Sequence, residues 1–302
     1  MERTTIFYKM RRKMQVVAHK IVSNERLSKI YYRIVMKQKL SFDNPKTFNE
    51  KLQWMKLYYY PNNDRVVQCA DKYAVREYVN ERGLGDTLTP LLGSWLRPEE
   101  IDWEQLPSQF VLKCNHGCAY NIICEDKETL NKRAVISQLN KWLKEDFGAF
   151  NLELHYSNIR PHRIICEEYL GSSISDYKFF CFNGVPKYLY ISEDLVHDRQ
   201  ARIGYYGLDG KKLPLVRKSY ADLDNIIFPS FFSKMVDDSI RLAADFPFVR
   251  VDFFVTEKRY YFAELTFTPG GCMNDFNPPE YDLRWGNELD ISSIINKNGS
   301  KE

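Results

Sequence analysis

The chain has 302 residues, 44% hydrophobic and 15% aromatic, which is ample for one large domain or two to three smaller lobes. No apolar run approaches the roughly 18 residues of a transmembrane helix, and no internal repeat or low-complexity linker is visible. The net charge of +3 hides an asymmetry: residues 1–39 hold eleven Lys/Arg against two Glu, and the remainder holds 32 basic against 38 acidic residues. Seven cysteines at irregular spacings, without a CxxC pair or a signal-peptide pattern, point to a reducing cytoplasm.

In chain order, residues 5–38 read as helix. Ile6, Met10, Met14, Val17 and Ile21 form an amphipathic stripe, flanked by Arg11, Arg12, Lys13 and Lys20. Two readings stay open. A basic amphipathic helix can lie on an anionic membrane surface, here through residues 5–21, or it can pack on its own protein with a solvated basic edge. Nucleic acid is not expected, because no groove-reading motif accompanies the charge. Thr47-x-x-Glu50 is a capping box opening a helix. A further helix is expected over 71–80, and a short strand lies between Leu88 and Trp95.

Phe110–Cys114 is an apolar strand carrying Lys113, followed by a small loop with Gly117 and a second strand to Cys124. Such a loop can cradle phosphates with backbone N–H groups, while the lysine holds a phosphate as a point charge. Cys114-x-His116-x-Cys118 lacks the second ligand pair of a zinc site. Leu130 to Phe147 reads as an amphipathic helix. The strand from Arg163 runs into Glu167-Glu168-Tyr169-Leu170-Gly171, either an interlobe linker that grips adenine and ribose or an ordinary strand end. Asp176–Phe182 and Val185–Ile191 flank Asn183-Gly184, a strong hairpin turn. Lys178, on the Asp176 and Phe180 face, is a phosphate ligand or a snorkelling edge residue. Residues 192–228 read as a polar excursion, and 231–244 as helix. The tail from Asn274 is expected to be helical at most briefly.

Phe248–Val255 and Tyr260–Thr266 form a β-hairpin around Thr256–Arg259. Alternation puts Arg250 and Asp252 on one face, and Glu264 and Thr266 on one face of the return strand. If Val255 pairs with Tyr261, Asp252 lies opposite Glu264. Two adjacent carboxylates suit a hard cation such as Mg²⁺ that takes phosphates as further ligands, and Arg250 could hold an anion beside it. The competing reading is an exposed strand face with paired charges. Pro269-Gly270-Gly271 just beyond lets backbone approach a ligand closely.

Arg250-x-Asp252-Phe253 with Ala263-Glu264-x-Thr266-x-x-Pro269-Gly270 resembles the Mg²⁺-binding hairpin of ATP-grasp enzymes, where Asn usually stands at the position of Thr266. Lys72, Lys113, Glu167–Leu170, Lys178, Asp252 and Glu264 follow that family's order of parts. More narrowly, Pro45–Lys51, Asp71-Lys72-Tyr73, Phe110–His116, Glu167–Leu170 and Lys178–Gly184 resemble the TupA-like ATP-grasp proteins of bacterial surface and capsular polysaccharide biosynthesis. The resemblance covers about residues 40–290. Gly117-Cys118-Ala119 stands where relatives usually carry Asp-Ser-Gly.

The resemblance implies an α+β ATP-grasp fold whose two lobes clasp ATP, with a basic helical extension. It divides the chain into a helical region over 1–60, an α/β part over 61–109, lobe 1 over 110–170 and lobe 2 over 171–302. Lys72, Lys113, Glu167, Glu168, Leu170 and Lys178 would contact the nucleotide. Asp252, Glu264 and Thr266 would hold Mg²⁺, and Arg250 with Lys178 would serve catalysis. The implied chemistry turns a carboxylate and ATP into an acylphosphate that an amine converts to an amide. By family analogy the substrates are a uronic-acid sugar and an amino acid or amine, met in the cytoplasm or at the inner membrane face. A glycosyltransferase, an ATP-grasp kinase and a non-catalytic binding module, towards which Thr266 is the one hint, are the alternatives. His116 and His155 read as structural rather than substrate-binding.

Overall fold

A computed structural model describes residues 6–193, 201–216 and 220–299 of the chain. The basic amino end forms two helices rather than one, α1 (Ile6–Ile21) and α2 (Asn24–Met36). Ser23 explains the break, because its side chain accepts the Arg26 N–H and so caps α2. α2 is anchored by buried Leu27 and Tyr32. The side chains of Ile6, Met10, Arg11 and Lys13 lie outside the described residues.

α3 (Phe48–Tyr58) starts at Thr47 with the expected capping box. Phe48 is fully buried, its ring 5.0 Å from Phe248 and 5.5 Å from Trp285. The helix expected over 71–80 begins only at Val75, as α5 (Val75–Glu81), and a separate helix α4 (Asp64–Ala70) precedes it. Asp71 makes the corner, since its Oδ1 accepts the N–H of Tyr73 at 2.7 Å and of Ala74 at 3.2 Å. Lys72 therefore sits in a turn, not on a helix.

Two sheets follow. The smaller has the order β1-β4-β2-β3, from β1 (Leu91–Trp95), β2 (Phe110–Cys114), β3 (Asn121–Cys124) and β4 (Ile164–Glu168), all antiparallel. Between β3 and β4 come α6 (Lys132–Leu143), α7 (Phe147–Asn151) and α8 (Leu154–Ser157). The larger sheet has the order β10-β9-β5-β6-β7-β8. Its strands are β5 (Ser175–Phe182), β6 (Val185–Glu193), β7 (Arg202–Gly207), β8 (Ala221–Asp222), β9 (Phe248–Val255) and β10 (Tyr260–Thr266). Asn183 and Gly184 both have positive φ (49° and 82°), as the two-residue turn between β5 and β6 requires. The polar excursion thus contains β7 and β8, while residues 194–200 and 217–219 lie outside the described set. α9 (Phe232–Ala243) packs on the larger sheet.

The tail is more helical than its sequence suggests, forming α10 (Glu280–Glu288) and α11 (Ser292–Gly299). The α10 residue Trp285 is fully buried and stacks on Tyr188 at 4.6 Å. Packing of this aromatic overrides the Pro- and Asn-rich approach to the helix.

Candidate functional site

The hairpin β9–β10 pairs Asp252 with Glu264, as expected, but by a different route. Val255 pairs with Tyr260 rather than Tyr261, and a bulge between Phe262 and Glu264 takes up the extra residue. Lys178 on β5 is the partner of Asp252 across the other edge of β9. Lys178, Asp252 and Glu264 therefore form one row across three neighbouring strands.

Arg250 grips Asp252 with two bonds, Nε to Oδ1 at 2.7 Å and an Nη to Oδ2 at 2.6 Å. The same guanidinium donates to Thr266 Oγ1 at 3.1 Å and lies 3.8 Å from Glu264. The Thr266 hydroxyl donates to Glu264 Oε1 at 3.0 Å. Lys178 bonds Asp176 at 2.8 Å and Asp252 at 3.5 Å. Burial pushes the Asp252 carboxyl above the usual range, although Arg250 and Lys178 pull the other way. Burial also pushes on Glu264, but Lys72, Arg250 and Lys178 together hold its carboxyl below the usual range. Lys178 is desolvated too, and Asp252 and Asp176 more than compensate, so its ammonium is held charged.

Lys72 joins this group from the α4–α5 turn. Its Nζ donates to Gly117 O at 2.6 Å and lies 4.0 Å from Glu264 Oε2. Its backbone N–H donates to Asn115 O, and the Asn115 amide donates to Asp71. One turn thus ties the small loop after β2 to the metal-type end of the hairpin.

Lys113 and Glu167 come together on the smaller sheet, at 2.5 Å, with Arg76 3.2 Å from the other Glu167 oxygen. The Lys113 ammonium lies 5.8 Å from the centre of the Phe254 ring on β9, so the two sheets approach each other at this point. Glu168 ends β4 and is exposed; Leu170 follows in the segment that crosses to β5 in the other sheet. Sequence reading missed Arg76, which neutralises Glu167, and placed Asp176 on the Lys178 face without assigning it as that lysine's ion-pair partner. Glu264 and Thr266 also open onto a cleft of about 1280 Å³, shared with Gly270, Gly271, Tyr156 and Arg12. Gly270 and Gly271 both have positive φ (61° and 66°), and the buried Lys56 donates to Gly271 O at 3.4 Å.

His116 and His155 are fully buried and outside this group. His116 bonds Trp142 O at 3.0 Å and stacks on His162. His155 sits among Tyr60, Tyr156 and Phe267 with neither ring nitrogen bonded. Among the described residues no cluster of three or more His, Cys, Asp or Glu could hold a metal alone. The pair Asp252–Glu264 still fits Mg²⁺, which commonly takes one or two carboxylates and completes its shell with water and phosphate oxygens. No helix among the described residues is long and apolar enough to cross a membrane.

The family model described as TupA-like ATP-grasp matches residues 50–290, and the chain belongs to this family. Its mixed sheets and helices are therefore the expected α+β ATP-grasp fold. No curated protein is a significant match to the sequence. Among solved structures, the D-alanine–D-alanine ligase from Bacillus anthracis is 14% identical, with a TM-score of 0.45 over 78% of this chain and 72% of that one. The D-alanine–D-alanine ligase from Helicobacter pylori is 13% identical, with a TM-score of 0.41 over 82% and 70%. The ATP-grasp ligase PsnB, complexed with a phosphomimetic variant of its minimal precursor, Mg and ADP, is 14% identical, with a TM-score of 0.41 over 83% and 65%.

Proposed function

We propose that this TupA-like ATP-grasp protein is an ATP-dependent carboxylate–amine ligase that forms an amide through an acylphosphate. The observation that carries the reading is the row Lys178–Asp252–Glu264, with Arg250 beside it and a large cleft at its Glu264 end. Lys113 and Lys178 are the phosphate-binding cations, Glu167 to Leu170 the adenine and ribose contacts, and Lys72 the residue that holds the phosphate loop. Asp252, Glu264 and Thr266 are the residues that would hold Mg²⁺, which when bound neutralises phosphate oxygens and orients the γ-phosphoryl group.

The transferred phosphoryl group needs positioning and charge neutralisation more than covalent help. Lys178 is held charged between two carboxylates, so it meets a phosphate without first acquiring a proton. Arg250, at the cleft edge, is the donor for the acylphosphate and for the oxyanion formed when the amine attacks. The amine loses a proton, phosphate leaves, and no nucleophilic Ser, Cys or His takes part. The cleft has room for a sugar-sized acceptor. The substrates proposed are a uronic-acid sugar and an amino acid or amine of bacterial surface polysaccharide biosynthesis.

The test is phosphate release from ATP across a panel of uronic acids and amino acids, with product masses. An amide product with ADP and free phosphate, and a hydroxamate when hydroxylamine replaces the amine, supports the ligase. A stable phosphorylated acceptor without free phosphate would make it a kinase. Thermal stabilisation by UDP-sugars but not by ATP would make it a glycosyltransferase.

A further inference from the structure

The amino-terminal helices turn the wrong face outward for a simple packing role. Fourteen large apolar side chains are exposed among the described residues, and six of them lie between Met14 and Val35. These are Met14, Val17, Ile21, Ile30, Ile34 and Val35, exposed from 49% (Ile30) to 77% (Ile21). The other eight are spread over the rest of the chain, as on any soluble surface. On α1 the spacing of Met14, Val17 and Ile21 makes one stripe, whereas buried Gln15 and half-buried Arg12 and His19 fall on the opposite side. Arg12 reaches inward, 3.5 Å above the Phe150 ring and 3.2 Å from the Tyr120 hydroxyl. α1 is thus fixed to the body on the side that carries Arg12, Gln15 and His19, and its exposed stripe runs from Met14 to Ile21 with Val17 at the cleft wall.

Cations surround the stripe. Lys20, Arg26, Lys29, Arg33, Lys37 and Lys39 are all exposed. Only Lys29 is paired, with Glu25 at 2.5 Å; no described acidic side chain forms an ion pair with the other five. On α2, Arg26 and Arg33 share one face with Ile30 and Ile34, at helical spacings of three, four and seven. An aqueous surface explains the charges but not the exposed apolar groups Met14, Ile21, Ile30 and Ile34. A second copy of the chain placed symmetrically on this face would set Arg26 and Arg33 against their own like charges. An anionic bilayer satisfies both: headgroups take the cations, and the apolar groups enter the acyl boundary.

We propose that the α1–α2 face docks on an anionic lipid surface. Val17 and Val35 line the cleft described above, Val35 on the side of α2 away from Arg26 and Ile30, so the lipid-facing groups are Met14, Ile21, Ile30 and Ile34, beside the cleft mouth. The inference stands on the helices alone and does not depend on the reading of the nucleotide site.

The experiment is vesicle flotation of the full chain, with neutral phosphatidylcholine vesicles against vesicles carrying phosphatidylglycerol, at low and near-physiological salt. The expected result is binding to the anionic vesicles only, weakening as salt rises. Ile21→Glu with Ile34→Glu, and separately Arg26→Glu with Arg33→Glu, should each reduce binding about tenfold or more. All four positions are exposed, so melting temperature and its shift with ATP should stay those of the parent. Equal binding to neutral vesicles, no binding to anionic ones, or unchanged binding by both variants would overturn the proposal. So would a concentration-dependent dimer that the same variants dissociate, which would assign the face to a second copy.

Discussion

Arg250 and Asp252, two residues apart on one strand, form a two-bond ion pair with the carboxylate almost wholly buried and the guanidinium mostly so. Any cation that binds Asp252 must share its oxygens with this guanidinium or displace it. The arginine occupies the Asp252 oxygens that a cation would use and keeps a desolvated carboxylate neutralised. Arg250→Gln should therefore lower stability by about 3 kcal/mol, because it leaves Asp252 with Lys178 at 3.5 Å as its main partner. The same variant should bind Mn²⁺, used as a reporter, more tightly than the parent while losing turnover. Urea unfolding and Mn²⁺ titration read the two effects separately; unchanged stability would mean that the pair is incidental.

Asp252→Asn and Glu264→Gln remove one charge each from the paired carboxylates. Each should lower kcat by about a hundredfold or more, as loss of several kcal/mol of charge stabilisation requires. Metal-free nucleotide binding should survive, since the lysine contacts and the β4–β5 linker are untouched. Near-normal Mg²⁺-dependent turnover in both variants would return the hairpin to a purely structural role.

Lys113→Ala and Lys178→Ala should both weaken ATP binding, with different effects on the fold. Glu167 keeps Arg76 at 3.2 Å when Lys113 is lost, so that variant should melt close to the parent. Loss of Lys178 leaves Asp176 and Asp252 short of a cation, which should lower the melting temperature by several degrees. Isothermal titration with ATP, beside melting curves, checks both. Retained affinity in both variants would make the lysines edge residues.

The features legible in the sequence are those fixed by neighbours along the chain. The Thr47–Glu50 capping box, the Asn183-Gly184 turn and the hairpin follow from local backbone chemistry. The facing of Asp252 and Glu264 was a conditional expectation, and the bulge that produces it leaves no clear mark in an aromatic, β-branched strand. Arg76 could not be found as a site partner, because its pairing with Glu167 depends on how distant segments meet; Asp176, two residues from Lys178 on one strand, was legible as sharing its face but not as its ion-pair partner. The break between α1 and α2 was readable at Ser23 in retrospect. α10 was not, since its stability comes from Trp285 in the core rather than from a long periodic pattern.

His116 and His155 give the protein an acid limit. Burial lowers the first to about 4 and the second to about 3, so both are neutral at pH 7. The unfolded chain takes up protons on both from about pH 6.5 downward, while the folded chain resists until much lower pH. Their contribution to stability is therefore full above the unfolded value and lost as pH falls towards 4, by roughly 3 kcal/mol for His116 alone. His155→Phe keeps the ring packing and cannot titrate, so it should remove part of that loss. Urea midpoints at pH 7 and pH 5 check this. An equal drop in the parent and the variant would place the acid sensitivity elsewhere.

Thr266 is the position where this chain departs from the usual ATP-grasp pattern. Its hydroxyl accepts from Arg250 at 3.1 Å and donates to Glu264 at 3.0 Å, so it already joins the two residues that flank the proposed metal position. One hydroxyl oxygen is a weaker ligand than an amide carbonyl, and it is occupied by the guanidinium here. Thr266→Asn supplies an amide oxygen for Arg250 or a cation and an N–H₂ group for Glu264. Thr266 is half-buried at the edge of the cleft, which has room for the longer side chain. The variant should fold normally and keep or raise Mg²⁺-dependent turnover, with a lower Mg²⁺ requirement. Thr266→Val removes the hydroxyl at nearly constant volume and should raise that requirement, leaving the Arg250–Asp252 pair in place. Turnover measured against Mg²⁺ concentration separates the outcomes. If Thr266→Val and Thr266→Asn both match the parent at every Mg²⁺ concentration, Thr266 only links Arg250 to Glu264 and is no ligand.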